Sequence, residues 1–171
     1  MPIGPETPIV NARPNTVARY LRLDLTETEQ SALGDALLAR GMNEDDWLDW
    51  YDARLCLFDL ERGAAPLADI ARTVLGRSPV TLVSIDTFVR FDWSAFNGLA
   101  ALEPVMGTLP GALPSAREWR YFAPDDTRPP YLWASHEASG LQVAGVLDEP
   151  LWDAWWSAFD LATSAFPRRT G

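Results

Sequence analysis

The chain has 171 residues, of which 47% are hydrophobic and 22% are charged, a composition that favours a globular protein over a disordered one. Its formal net charge of −10 argues against nucleic acid and anionic membranes as ligands, because both need a positive field. The single cysteine cannot form an internal disulfide, and neither an export signal nor a membrane-spanning apolar run is present, so we expect a protein of the bacterial cytoplasm.

The amino terminus is rich in proline. Residues 1–14 contain four prolines, which favour extended backbone over helix, so we predict that this segment forms an arm. The rest of the chain shows no internal repeat and no break in composition. The short Pro-rich stretch at residues 104–114 is the only candidate linker, and residues 15–171 are therefore predicted to form one domain.

A strand and a helix follow the arm. Residues 17–25 alternate apolar and polar side chains, which is the period of a half-buried strand. Thr26 and Glu29 then have the spacing of a capping box, in which each residue satisfies a free backbone N–H at the start of a helix. Gly41 stands where a left-handed residue is expected to end that helix.

The strongest helical pattern spans residues 43–62, where Asn43 is a suitable cap and acidic residues crowd the first turn. On a helical wheel, four aspartates form one stripe: Asp45, Asp49, Asp52 and Asp59. The opposing face contains Trp47, Tyr51, Leu55 and Phe58. A third helix over residues 66–75 completes a predicted N-terminal three-helix segment.

The second half of the chain has mainly the patterns of strands. Long or alternating apolar segments predict strands at residues 80–91, 117–122, 131–136 and 141–147, the last two joined by a tight turn. A weaker helical pattern lies at residues 96–105, and a Trp-rich helix closes the chain at residues 150–166. We therefore predict an α+β fold with a mainly antiparallel sheet of about five strands and the closing helix packed on one face.

The acidic stripe and the eight tryptophans favour a binding function. In this interpretation Asp45, Asp49, Asp52 and Asp59 attract a basic protein partner, and Trp50 or Trp133 is the buried anchor. A protein of this kind is an antitoxin, an immunity protein or an inhibitor. The alternative for the aspartates is an ordinary solvated helix face.

Two other functions stay open. A small-molecule-binding domain or small enzyme would use a tryptophan-lined pocket between the sheet and the closing helix, with polar groups that we list as Asp86, Glu118, Arg120 and His136. A phage or assembly component would use the proline-rich arm as its contact.

Catalytic, metal and cofactor motifs are missing from the sequence. His136 is the only histidine, and Cys56 lies among aspartates, which disfavour a reactive thiolate. The string Asp45-Asp46-Trp47-Leu48-Asp49 has carboxylates at the spacing of a magnesium site, but acids are ordinary in a first helical turn. We therefore predict no catalytic residue, no metal and no cofactor.

Overall fold

The computed structural model describes residues 13–14, 16–43, 48–50, 55–59, 65–94, 98–115 and 117–169, with the backbone alone for residues 48–50, 56–59 and 65–67. This part of the chain forms an eight-stranded antiparallel sheet with four helices, so the predicted α+β class is confirmed. The strands are β1 (Ala18–Asp24), β2 (Leu48–Trp50), β3 (Leu55–Asp59), β4 (Val80–Arg90), β5 (Ala112–Leu113), β6 (Trp119–Tyr121), β7 (Tyr131–Glu137) and β8 (Gly140–Asp148). The helices are α1 (Glu27–Leu38), α2 (Ala65–Leu75), α3 (Gly98–Met106) and α4 (Glu149–Ala162).

The strands are ordered β2-β3-β1-β4-β8-β7-β6-β5, and every described pair is antiparallel. Strand β4 is the longest and pairs with β8 from Leu82, opposite Asp148, to Arg90, opposite Gly140. Three of the eight strands were not predicted: β2 and β3 fall in the segment predicted as a helix, and β5 has only two residues. A run of this last length has too few residues for a period to be recognised.

The start of α1 follows the predicted capping box. The Glu29 backbone N–H donates to Thr26 Oγ1 at 3.2 Å, and the Thr26 N–H donates to Glu29 Oε2 at 3.4 Å. After the helix, Gly41 adopts a φ of 70°, the left-handed conformation that glycine tolerates best. The local pattern was sufficient here because both ends of the helix are determined by residues close in sequence.

The predicted helix at residues 43–62 is wrong. Its described residues form β2 and β3, which pair with Leu48 opposite Phe58 and Trp50 opposite Cys56. Strand β3 also pairs with β1 along its whole length, so distant hydrogen bonds outweigh a local helical pattern built from aromatic residues with modest helix propensity. Within the described residues, the predicted three-helix segment contains a helix, two strands and a helix, and Asp49 and Asp59 of the predicted stripe lie on strands.

All four described helices cover the same face of the sheet. Leu21 and Leu23 of β1 pack with α1 and α2, and Leu21 lies opposite Thr81, in phase with Val83 of β4. Val83 in turn belongs to the larger cluster, which includes α3 and α4. The two clusters are therefore neighbours along one side of one sheet.

The closing helix supplies most of the aromatic core. Trp152, Trp155 and Phe159 are fully buried, with ring centroids 5.8 Å apart for the two tryptophans and 5.2 Å apart for Trp155 and Phe159. Aromatic side chains bury more apolar area than any others, so this row holds the helix on the sheet. No helix in the described ranges is long and apolar enough to cross a membrane.

Candidate functional site

The face of the sheet opposite the helices carries the candidate site, and we call it the open face because no described helix packs on it. Successive side chains of a strand point to opposite sides of the sheet, and this alternation shows which residues belong to the open face. On β7, Leu132 and Ala134 are buried under the helices, so Trp133 between them points to the open face. On β4, Ile85 and Val89 are buried, and Asp86 and Phe88 belong to the open face.

Strand register brings three residues into one row across the open face. Asp86 lies opposite Ala144 on β8, Ala144 lies opposite Trp133 on β7, and Trp133 lies opposite Arg120 on β6. Side chains directly opposite each other are near neighbours on a sheet surface. Because Ala144 is small, no large side chain of β8 separates the carboxylate of Asp86 from the indole of Trp133 in this row.

Phe88 stands in the adjacent row, opposite Gln142. Its side chain is 42% exposed, a large value for an aromatic residue in the middle of a strand, and Trp133 is partly exposed. Towards the other end of this face, Tyr20 and Tyr131 pack against the buried Leu82 and Val146. The apolar part of the open face is thus aromatic and partly accessible.

The polar part of the open face is mainly acidic. Asp86 accepts a hydrogen bond from the Gln142 amide at 3.2 Å, and none of the ion pairs between described residues involves it. The described charged groups on or beside this face are the carboxylates of Asp24, Asp86, Glu118, Asp126, Glu137 and Asp148, against the guanidinium groups of Arg22, Arg90, Arg120 and Arg128. Carboxylates therefore outnumber guanidinium groups.

Arg120 is not available as a free cation. Its guanidinium is ion-paired with both Glu118 and Asp126. Partial burial alone would lower its pKa, but the hydrogen bonds to Asp126 and Glu118 outweigh burial and raise it. Arg120 thus bridges two carboxylates at the rim of the open face.

The predicted site residues separate into three groups. Asp86, Arg120 and Trp133 share the row described above, and Glu118 joins them through Arg120. His136 is on the opposite phase of β7, with its ring centroid 4.8 Å from that of Trp93. Asp49 and Trp50 lie on β2 and Asp59 on β3, while Asp45 and Asp52 fall outside the described residues.

A pocket was expected between the sheet and the closing helix. That interface is filled by the buried rings of α4. Two of the four residues predicted for it, Glu118 and His136, instead line a cavity of about 200 Å³ at the start of β6, together with Trp119 and Glu103. Another cavity, of about 770 Å³, runs along α1, and Asp35 is the one carboxylate among its described lining residues.

Phe88 and Gln142 were not identified from the sequence. The sequence did contain a signal for Phe88. It is an apolar residue at an even position of β4, whereas the buried Val83, Ile85 and Val89 are at odd positions, so its side chain points to the other side of the sheet. Gln142 had no such signal, because its contact with Asp86 depends on the register of two strands far apart in sequence.

Within the described ranges, no three His, Cys, Asp or Glu side chains are arranged to hold a metal ion. The side chains of the open face are of types that can make aromatic stacking and ion-pair interactions. Comparison of the chain with protein-family models, with curated proteins and with solved structures gave no match.

Proposed function

We propose that this protein is a non-enzymatic binding module that holds a basic protein partner on its open face. The observation that supports this most directly is the pair of accessible aromatic residues, Phe88 and Trp133, beside the carboxylate of Asp86. An arginine side chain from a partner would stack on Trp133 and pair with Asp86 at the same time. Both interactions are known to favour arginine over other residues.

Charge supports the same proposal at longer range. With a net charge of −10, the protein attracts a basic partner during encounter and repels an acidic one. Asp45, Asp49, Asp52 and Asp59 contribute to this field through their charge, although Asp49 and Asp59 lie on strands and not on the helix first predicted. An antitoxin, an immunity protein or an inhibitor whose target has a basic site would have these properties.

Site-specific cross-linking tests the location of the binding surface. A photoreactive benzoylphenylalanine at position 88 should cross-link to a basic protein in cells of the source organism. The matched control is the same residue at position 161, because Leu161 is 75% exposed and lies on α4, on the helical side of the sheet. Cross-links at both positions, or at 161 alone, would contradict the proposed surface.

The cross-linked protein, once purified, allows affinity measurements. We expect Trp133→Ala to weaken binding at least about tenfold, as for a tryptophan at an interface hot spot. Asp86→Asn should weaken it mainly at low salt, because an exposed ion pair is screened as ionic strength rises. Affinity that is unchanged in both variants and insensitive to salt would overturn the proposal.

A further inference from the structure

We propose that the cavity at the start of β6 is a binding site for a free α-amino acid with an apolar side chain. This site borders the open face, with which it shares Glu118 and Ser135, but its function does not depend on the protein partner. Six of the side chains that line it carry the inference: Leu99, Glu103, Ser115, Arg117, Trp119 and His136.

The cavity exists because β7 is longer than β6. Pairing between these strands runs from Trp119, opposite Ala134, to Tyr121, opposite Leu132. His136 lies beyond the paired region, where the chain before β6 has already left the sheet. Leu99 and Glu103, one turn apart on α3, form the remaining wall.

The lining contains one unpaired charge of each sign. The structure gives Arg117 and Glu103 no ion-pair partner within the described residues, although both line the same cavity. The other carboxylate, Glu118, is bound to Arg120. A ligand with a single charge would match one of the two free groups, whereas a zwitterion would match both, its carboxylate at Arg117 and its ammonium at Glu103.

The remaining walls suit a small apolar group. Trp119 and Leu99 provide apolar surface beside the charged pair. The volume of about 200 Å³ equals that of about seven water molecules at ~30 Å³ each in the liquid. It lies below the roughly 300–1,000 Å³ of sites for drug-sized ligands, so one amino acid fits and a nucleotide does not.

His136 makes the test direct, because it is the only histidine and its imidazole protons give isolated NMR signals. We expect L-leucine or L-phenylalanine to shift these signals saturably. The analogues that lack one charge are isoamylamine and 4-methylpentanoate for leucine, and phenethylamine and 3-phenylpropanoate for phenylalanine. Each should bind at least about tenfold more weakly, since it loses a charge-assisted hydrogen bond.

Variants identify the two charged groups. Arg117→Gln and Glu103→Gln should each weaken amino-acid binding at least about tenfold. Arg72→Gln is the control, because Arg72 pairs with Asp69 on α2 and takes no part in the cavity. The proposal is overturned if millimolar amino acid leaves the His136 signals unchanged, if the singly charged analogues bind equally well, or if both cavity variants bind like the control.

Discussion

The Tyr121 hydroxyl donates a hydrogen bond to the Met106 carbonyl at 2.9 Å, at the last turn of α3. The side chain is fully buried, and its ring meets Trp155 edge-on with centroids 5.2 Å apart. Burial raises the pKa of this phenol well above its usual value, because the anion would lose its hydration without gaining a cation. Tyr121 thus connects β6 with α3 and with the aromatic core. Its hydrogen bond to Met106 requires the protonated, neutral phenol.

This shift predicts a loss of stability in alkali. The folded pKa of Tyr121 is raised, so its contribution is complete below the unfolded value of about 10 and falls as the pH rises beyond it. Above about pH 10 the free energy of unfolding should fall faster in the wild type than in Tyr121→Phe, by up to about 1.4 kcal/mol per pH unit. At neutral pH the variant should be less stable by about 0.5–1.5 kcal/mol. Urea denaturation at several pH values measures both, and parallel pH curves would contradict the assignment.

Helix α4 is held on the sheet by one side only. Trp152, Trp155 and Phe159 are fully buried, whereas Leu161 is 75% exposed. Beyond the helix, Arg168 returns to pair with the buried Asp160 at 3.0 Å, and its guanidinium lies 5.7 Å from the Phe159 ring centroid. This contact neutralises a carboxylate that would otherwise be buried without a counterion.

The asymmetry of α4 can be measured with a pair of variants. Trp155→Ala should lower the free energy of unfolding by about 3–5 kcal/mol, because it leaves a cavity in the aromatic row. Leu161→Ala removes an exposed side chain and should change it by less than about 0.5 kcal/mol. Equal effects in chemical denaturation would show that α4 does not pack as described.

At the scale of the whole molecule, β4 connects the two hydrophobic clusters. It pairs with β1, which packs against α1 and α2, and with β8, which packs against α4. The clusters therefore share a strand and the hydrogen bonds on both its sides. We expect residues 15–171 to unfold as one cooperative unit, as small single domains usually do.

A variant in one cluster tests this expectation in the other. Leu37 is almost fully buried in the cluster of α1, and Leu37→Ala should cost about 2–5 kcal/mol. If unfolding is cooperative, the slowest-exchanging amides of β8 should lose the same free energy of protection. Amides of β8 that keep their wild-type exchange rates would indicate two independently unfolding parts.

Much of the order of helices and strands could be predicted, because the sequence pattern that indicates each element lies within that element. The strands at 80–90, 131–137 and 140–148 are each seven residues or longer and rich in apolar side chains, and α4 keeps one aromatic face. The segment at 43–62 failed because its residues also fit a helical period, and only pairing with β1 selects the strand. Of the candidate site, Asp86 and Arg120 were predicted for a pocket and Trp133 for a partner-binding surface, so the sequence did not indicate that all three share one row.

Net charge, the α+β class, the capped helix α1 and the aromatic face of α4 follow from the order of residues alone, since each depends on composition or on contacts within a few positions. The strand identity of residues 48–50 and 55–59, and the row formed by Asp86, Trp133 and Arg120, depend on which distant strands pair and in which register. A shift of register by one residue would turn every side chain of a strand to the opposite face. The open face is therefore a property of the folded sheet, because backbone hydrogen bonds between strands far apart in the chain bring its residues together.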